Sequence, residues 1–315
     1  MTDLQRDRYG RPMVVPPGGG KPVAYTRCTT FVGVLEDTYN LSRWQQRQVA
    51  IGLAQRPDLV SLAGARADDK STLNEVIDAA AEAAQSSRAA NVGTTIHALT
   101  ELVDAGADLA SISAEHRADL EAYARATERL RHEHIEAFTV NDALRVGGTP
   151  DRISTMPDGR RVIVDLKTGS IDYGIGKIAC QLAMYAHSVL YNPETGERAE
   201  HHADIAKGIV VHLPAGSGEC SLVEVDLAAG WQAVQLSAQV RAWRARKDLA
   251  RPFTIPEPPK PKVAEPAPDP ILAMIAACDD VEALNGVYAL HLAEWTDRYT
   301  AAAAERKAAI LRGAA

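Results

Sequence analysis

The run Arg160-Arg161-Val162-Ile163-Val164-Asp165-Leu166-Lys167 constrains the fold more than any other stretch of this chain. Three consecutive β-branched residues describe a strand buried on both faces, which requires a sheet covered on each side. Side chains alternate along a strand, so Asp165 and Lys167 point one way while Leu166 points into packing. A carboxylate and an ammonium at the end of such a strand are costly unless they are paired, ligated or opened to a cleft.

The surrounding segments say what kind of sheet this is. Segments 135–141, 144–154 and 160–167 are short, β-branched and separated by turn signals at Asn141-Asp142 and Pro157-Asp158-Gly159, and together they read as an antiparallel meander. A helix over about 175–191 follows, then strands near 205–213 and 220–226 and a helix from about 228 to 248. Upstream, from about 41 to 133, helices dominate. Thr72-x-x-Glu75 is a capping-box pattern, after which Leu73, Val76, Ile77, Ala80 and Ala84 recur at helical spacing. A second helix starts near Gly93 and buries Ile96, Leu99 and Val103. A third, from about 113 to 133, carries Leu120, Tyr123, Thr127 and Leu130. The expected fold is α/β: a central mixed sheet flanked by helices, behind a helical N-terminal region.

Proline sets the boundaries. Residues 252–270 are too dense in it to continue a helix or a central strand, so they read as a linker between a domain over 25–251 and a small helical C-terminal appendage over 271–315. In that appendage Leu284, Tyr288, His291 and Trp295 lie at roughly one-turn intervals. Residues 1–24, rich in Pro and Gly, read as a flexible arm. With 315 residues, 46% of them hydrophobic, one enlarged catalytic domain plus a small appendage has ample apolar material for its core. No stretch approaches the roughly 18 apolar residues of a membrane helix. The N-terminus also lacks the apolar run of a secretory signal, so no membrane association and a cytoplasmic location are expected. Cys28, Cys180, Cys220 and Cys278 are scattered with no CxxC pair, which argues against zinc-ribbon spacing and a disulfide framework. Net charge is −7, a weak argument against nucleic acid taken alone. Yet 236–251 holds Arg241, Arg244, Arg246, Lys247 and Arg251 against the single acid Asp248, and it reads either as a basic face or as a solvated helix surface.

The residues that carry chemistry are Asp151, at the end of Gly147-Gly148-Thr149-Pro150-Asp151, and the Asp165/Lys167 pair, which a hairpin-like unit can set side by side. Two carboxylates offer hard oxygen ligands suited to Mg²⁺ or Mn²⁺, and a lysine can orient water or neutralise charge at a phosphoryl group. His97 and Glu101 share one helix face. Gln181 and Tyr185 share a face of the helix after the Asp-x-Lys strand, with Lys177 one turn earlier. His132, His134, His201 and His202 have no matching carboxylate or cysteine spacing and read as surface residues.

The order G-x-x-x-H, G-T-P-D, D-L-K-T-G, Q-x-x-x-Y over about 93–185 resembles the RecB-type nuclease domain of the PD-(D/E)XK superfamily, which includes CRISPR-associated and phage recombination exonucleases. The resemblance implies a restriction-endonuclease-like core and a Mg²⁺- or Mn²⁺-dependent deoxyribonuclease, an exonuclease of recombination or repair. It implies that Asp151, Asp165, the Leu166 carbonyl and His97 ligate metal and that Lys167 is the catalytic lysine. Gln181 and Tyr185 would orient the site or touch DNA, and Glu136 stands where relatives often carry an acid. Some CRISPR-associated relatives bind an iron–sulfur cluster through one early cysteine and three late ones. Cys28 is early, but no late triplet exists, so no cluster is expected. DNA is the expected partner, and the C-terminal helices suggest docking to a single-strand annealing or replication protein. Three other readings stay open: an idle scaffold keeping the fold, an endonuclease of the same superfamily, and a phosphoesterase acting on a small substrate.

Overall fold

The computed structural model describes residues 4–112, 114–258 and 267–313. The chain divides into two compact units, Met1–Leu249 and Ala250–Ala315. In the first, strands β1 (Met13–Val14), β2 (Val23–Ala24) and β3 (Thr26–Arg27) lead into helices α1 (Cys28–Val32), α2 (Tyr39–Gln55), α3 (Pro57–Ala65), α4 (Lys70–Ala83), α5 (Arg88–Asp104) and α6 (Arg117–Thr127). Strands β4 (Arg131–Ile135), β5 (Thr139–Asn141), β6 (Val146–Gly148), β7 (Arg152–Thr155) and β8 (Arg161–Lys167) follow, then helix α7 (Ile175–Ala186). Strands β9 (Val189–Tyr191), β10 (Arg198–Ala199), β11 (Lys207–His212) and β12 (Ser221–Asp226) and helix α8 (Leu227–Arg244) complete the unit. The second unit holds helices α9 (Pro270–Ala277), α10 (Val281–Leu290) and α11 (Asp297–Gly313).

Two five-stranded mixed sheets, in the orders β12-β11-β8-β7-β4 and β10-β9-β5-β6-β3, form the α/β core, consistent with the restriction-endonuclease-like expectation. The 160–167 strand is central, as its sequence demands: β8 pairs antiparallel with β7 and parallel with β11, with Asp165 opposite Val210 and Lys167 opposite His212. Its alternation divides two cores. Val162, Val164 and Leu166 pack with Ile96 and Tyr123 of the α5/α6 layer, while Ile163 packs with Ile178, Leu182 and Tyr185 of α7.

The single meander expected over 135–167 is instead split between the sheets. β4, β7 and β8 lie in one and the β5–β6 hairpin in the other, so the chain changes sheet at Gly148-Thr149-Pro150-Asp151. The cause is local. A Cβ on Gly147 would come within 2.6 Å of Phe138, and one on Gly148 within 2.8 Å of both Cys28 and Tyr185. Pro150, lacking an N–H, cannot extend a ladder.

Other expectations shift with tertiary context. Residues 4–24 pack onto the domain rather than forming a free arm: β1 pairs β2, Val14 is fully buried, and the Val15 N–H donates to Tyr191 Oη at 3.0 Å. Glycines at left-handed φ, Gly19 and Gly20, make this fold-back possible. Helix α4 is capped by Asp69, which accepts from Ser71 N and Thr72 N at 3.0 and 3.4 Å, so the Thr72 box lies inside the first turn. The third helix stops at Thr127 because residues 131–135 pair with β7. In the second unit Asp269 caps α9, and Ile271, Ile275, Cys278 and Leu284 form a small core with Trp295 and Tyr299. Of the expected linker, 259–266 lie outside the described residues; no strand or helix is assigned to 252–258 or 267–269.

Candidate active site

Asp151 stands where the chain crosses from β6 to β7, and its Oδ2 accepts the Leu166 N–H at 2.6 Å. This one bond docks the crossing segment onto β8 and places Asp151 beside the Asp165-Leu166-Lys167 end. Leu166 is buried, as a strand alternation with Asp165 requires. Asp165 is 1% exposed and accepts a hydrogen bond from Lys167 Nζ, which also lies 3.5 Å from the Leu166 carbonyl. Burial, then the neighbouring Asp151 charge, push the Asp165 carboxyl up to about 6, against the opposing pull of Lys167.

Helix α5 supplies the facing wall. His97 Nδ1 lies 3.5 Å from Asp151 Oδ2. Glu136, after β4, donates its backbone N–H to the Asp151 carbonyl at 3.0 Å and holds a left-handed φ of 50°, unusual for a residue with a side chain. Its carboxyl is pushed up to about 7 by burial, then by the Asp151 and Glu101 charges. Donor atoms of His97, Glu136 and Asp151 all lie within 4.8 Å of one another. Two carboxylates and an imidazole this close, with the Glu136 carboxyl raised by burial and then by its acidic neighbours, fit a hard divalent cation.

Of the four expected ligands, the structure therefore brings His97 and Asp151 into one cluster. Asp165 and the Leu166 carbonyl sit beside it, both within reach of Lys167. Glu136 completes the cluster, although the sequence marked it only by likeness to relatives. A cavity of about 580 Å³ opens at this point, lined by Gly93, Thr94, His97, Glu101, Glu136, Lys167 and Thr168 among others. Gly93 keeps it open, since a Cβ there would come within 2.9 Å of Thr168 Oγ1.

Gln181 and Tyr185 stand on α7, which packs on the face of β8 that Ile163 and Asp165 share. Gln181 Nε2 donates to Tyr185 Oη at 3.2 Å. Burial above all raises the phenol well beyond its ordinary value, with Cys28, Asp165 and Asp151 adding to it. Lys177 is engaged by Glu36 at 2.9 Å. The basic run is partly spoken for: Arg241 stacks over Phe31 at 5.1 Å and Arg246 pairs with Asp248.

Two histidines read as surface are internal. His201 is 2% exposed, takes the Ala203 N–H on Nδ1, and so carries its proton on Nε2, which donates to the Tyr185 carbonyl at 3.1 Å. His132 sits between Ser154 Oγ, 2.7 Å from Nδ1, and Asp104 Oδ1, 3.4 Å from Nε2. Apart from Ala203, their partners lie 16 to 28 residues away, beyond what local spacing reports. Sequence reasoning missed Asp104 and Arg152 altogether; Asp104 lies at i+7 from His97, a signal that was there to be used.

A family model described as the PD-(D/E)XK nuclease superfamily matches residues 53–245, more than half of the chain. No curated protein matches the sequence.

Proposed function

Because the chain belongs to the PD-(D/E)XK nuclease superfamily, we propose that its cleft hydrolyses DNA phosphodiester bonds with Mg²⁺ or Mn²⁺, working from strand ends in recombination or repair. The observation that carries this reading is the convergence of His97, Glu136 and Asp151 beside the Asp165–Lys167 pair, with His97, Glu136 and Lys167 lining one cavity.

His97, Glu136, Asp151 and Asp165, with the Leu166 carbonyl, would hold the cation. When bound, it polarises the scissile phosphate and offsets charge that grows on its oxygens. Lys167, with a side chain 30% exposed, reaches into the same cavity and orients the attacking water or neutralises the phosphoryl oxygens. The water oxygen bonds to phosphorus as the bond from phosphorus to the ester oxygen breaks; the attacking water gives up a proton to solvent and the departing oxygen takes one from it. Tyr185, kept protonated by its burial, orients Gln181 at the back of the site. No helix among the described residues is long and apolar enough to cross a membrane, and the reading places the protein in the cytoplasm. The second unit serves as a dock for a single-strand annealing or replication protein; a chain truncated at 252 that kept every partner interaction would remove that role.

The test is digestion of end-labelled linear and covalently closed circular DNA with Mg²⁺ or Mn²⁺, comparing wild type with Asp165→Ala and Lys167→Ala. Loss of linear DNA by wild type alone, with the circle spared, is the expected result. Cutting of the circle would make the enzyme an endonuclease. Absence of cutting under every condition would leave an idle scaffold.

A further inference from the structure

Arg152 follows Asp151 directly, yet it faces no solvent: it is 1% exposed and is among the largest fully buried side chains. Its Nε donates to Asp104 Oδ2 at 2.6 Å and its Nη2 to Thr100 Oγ1 at 2.8 Å. The guanidinium also lies 5.4 Å from the centre of the Tyr123 ring. Thr100 in turn donates its hydroxyl to the His97 carbonyl at 2.8 Å. His97, Thr100 and Asp104 stand at i, i+3 and i+7, one stripe of α5. Asp151, just before β7, and Arg152, its first residue, thus grip that stripe, Asp151 opposite His97 and Arg152 opposite the next two turns.

We propose that Arg152 is a positioning residue: with Asp104 and Thr100 it locks α5 in register against β7 and so sets where His97 meets Asp151. A buried ion pair is poor evidence for stability, because desolvation consumes most of its attraction, and its best-attested use is to fix register. The surroundings agree. Asp104 takes further bonds from Tyr123 Oη at 2.8 and 3.0 Å, which ties α6 to the same point. Arg152 Nη1 has no hydrogen-bond partner among the described residues, an arrangement an apolar substitute would avoid if packing were all that mattered. The chain Ser154–His132–Asp104 has the residue types of a hydrolytic triad, but Ser154 is fully buried and can meet no substrate. It belongs to the lock.

The inference rests on the metal-dependent reading of the site, and a binding cycle separates the two. Mn²⁺ is titrated calorimetrically, without DNA, into full-length wild type, Arg152→Met, His97→Ala and the double variant, each checked by thermal melting. The expected result is that Arg152→Met weakens Mn²⁺ binding roughly ten- to hundredfold, the range for residues that orient metal ligands. In the His97→Ala background the same change should alter it by less than about twofold, because the lock acts through His97. Equal losses in both backgrounds, or none in either, overturn the lock alone. Wild type that binds no Mn²⁺ overturns the metal reading and the lock with it. Should Arg152→Met not fold, Thr100→Val removes only the hydroxyl that joins Arg152 to the His97 turn. It should weaken Mn²⁺ binding in the same direction, and wild-type affinity would refute the inference.

Discussion

Replacing Asp165 by Asn should inactivate the protein and, near neutral pH and without divalent ions, make it more stable. The reason is the position of the carboxylate. Burial and Asp151 raise its pKa from the ordinary 3.8 to about 6 in the folded chain. The native state therefore binds more protons than the unfolded chain between those values, and stability falls as pH rises through that window. Above about pH 7 the loss is complete, and two units at 1.36 kcal/mol each set a ceiling of about 3 kcal/mol. Asn removes that cost but turns the charge-assisted bond from Lys167 into a weaker one to a neutral acceptor; because the Lys167 side chain is 30% exposed, water can make up part of the difference. A net gain of about 1–2 kcal/mol remains, or a rise in Tm of roughly 2–8 °C for a unit of this size. Scanning calorimetry with a chelator at about pH 8 and about pH 4 reads the effect. The gain should be present at the higher pH and absent at the lower, and added Mn²⁺ should stabilise wild type more than the variant. A variant less stable than wild type at the higher pH, or equally stabilised at both, would refute the electrostatic account.

Other perturbations test other parts of the structure. Gly52→Ala would place a Cβ 1.7 Å from the Ala80 carbonyl oxygen, so α2 and α4 must separate; a loss of about 3 kcal/mol in urea melts is expected, and a neutral result would deny the close crossing. Asp119 is buried and accepts from Gly216 N and Gly218 N at 2.7 and 2.8 Å. Asp119→Ala should therefore cost about 2–3 kcal/mol and speed hydrogen exchange in the loop after β11. His97→Ala should raise the Mg²⁺ concentration for half-maximal cleavage by at least about tenfold, measured on end-labelled DNA. An unchanged Mg²⁺ requirement would remove His97 from the ligand set.

What the sequence determined by itself was whatever depends on near neighbours. Val162 to Val164 describe an interior strand, and the polar end of that strand had to be paired, ligated or opened to a cleft. Gly93 and His97 are four residues apart, Gln181 and Tyr185 likewise, and helical spacing put each pair on one face without further information. What only the tertiary structure decided depends on partners far along the chain. Residues 131–135 have the composition of a helix end, yet pairing with β7 made them a strand. The crossing at Gly148–Asp151 sent two hairpin-like segments into different sheets, because Cys28 and Tyr185 leave no room for a Cβ there. Glu136 joined His97 and Asp151 through a backbone bond to Asp151 and a left-handed φ, neither of which is written in its neighbours. His132, His201 and Arg152 are polar residues that any local pattern assigns to the surface. His201 and Arg152 are buried and His132 nearly so because distant groups bond to them, Arg152 through Nε and Nη2 though not Nη1, and a polar group is held inside only where the whole fold has supplied such partners.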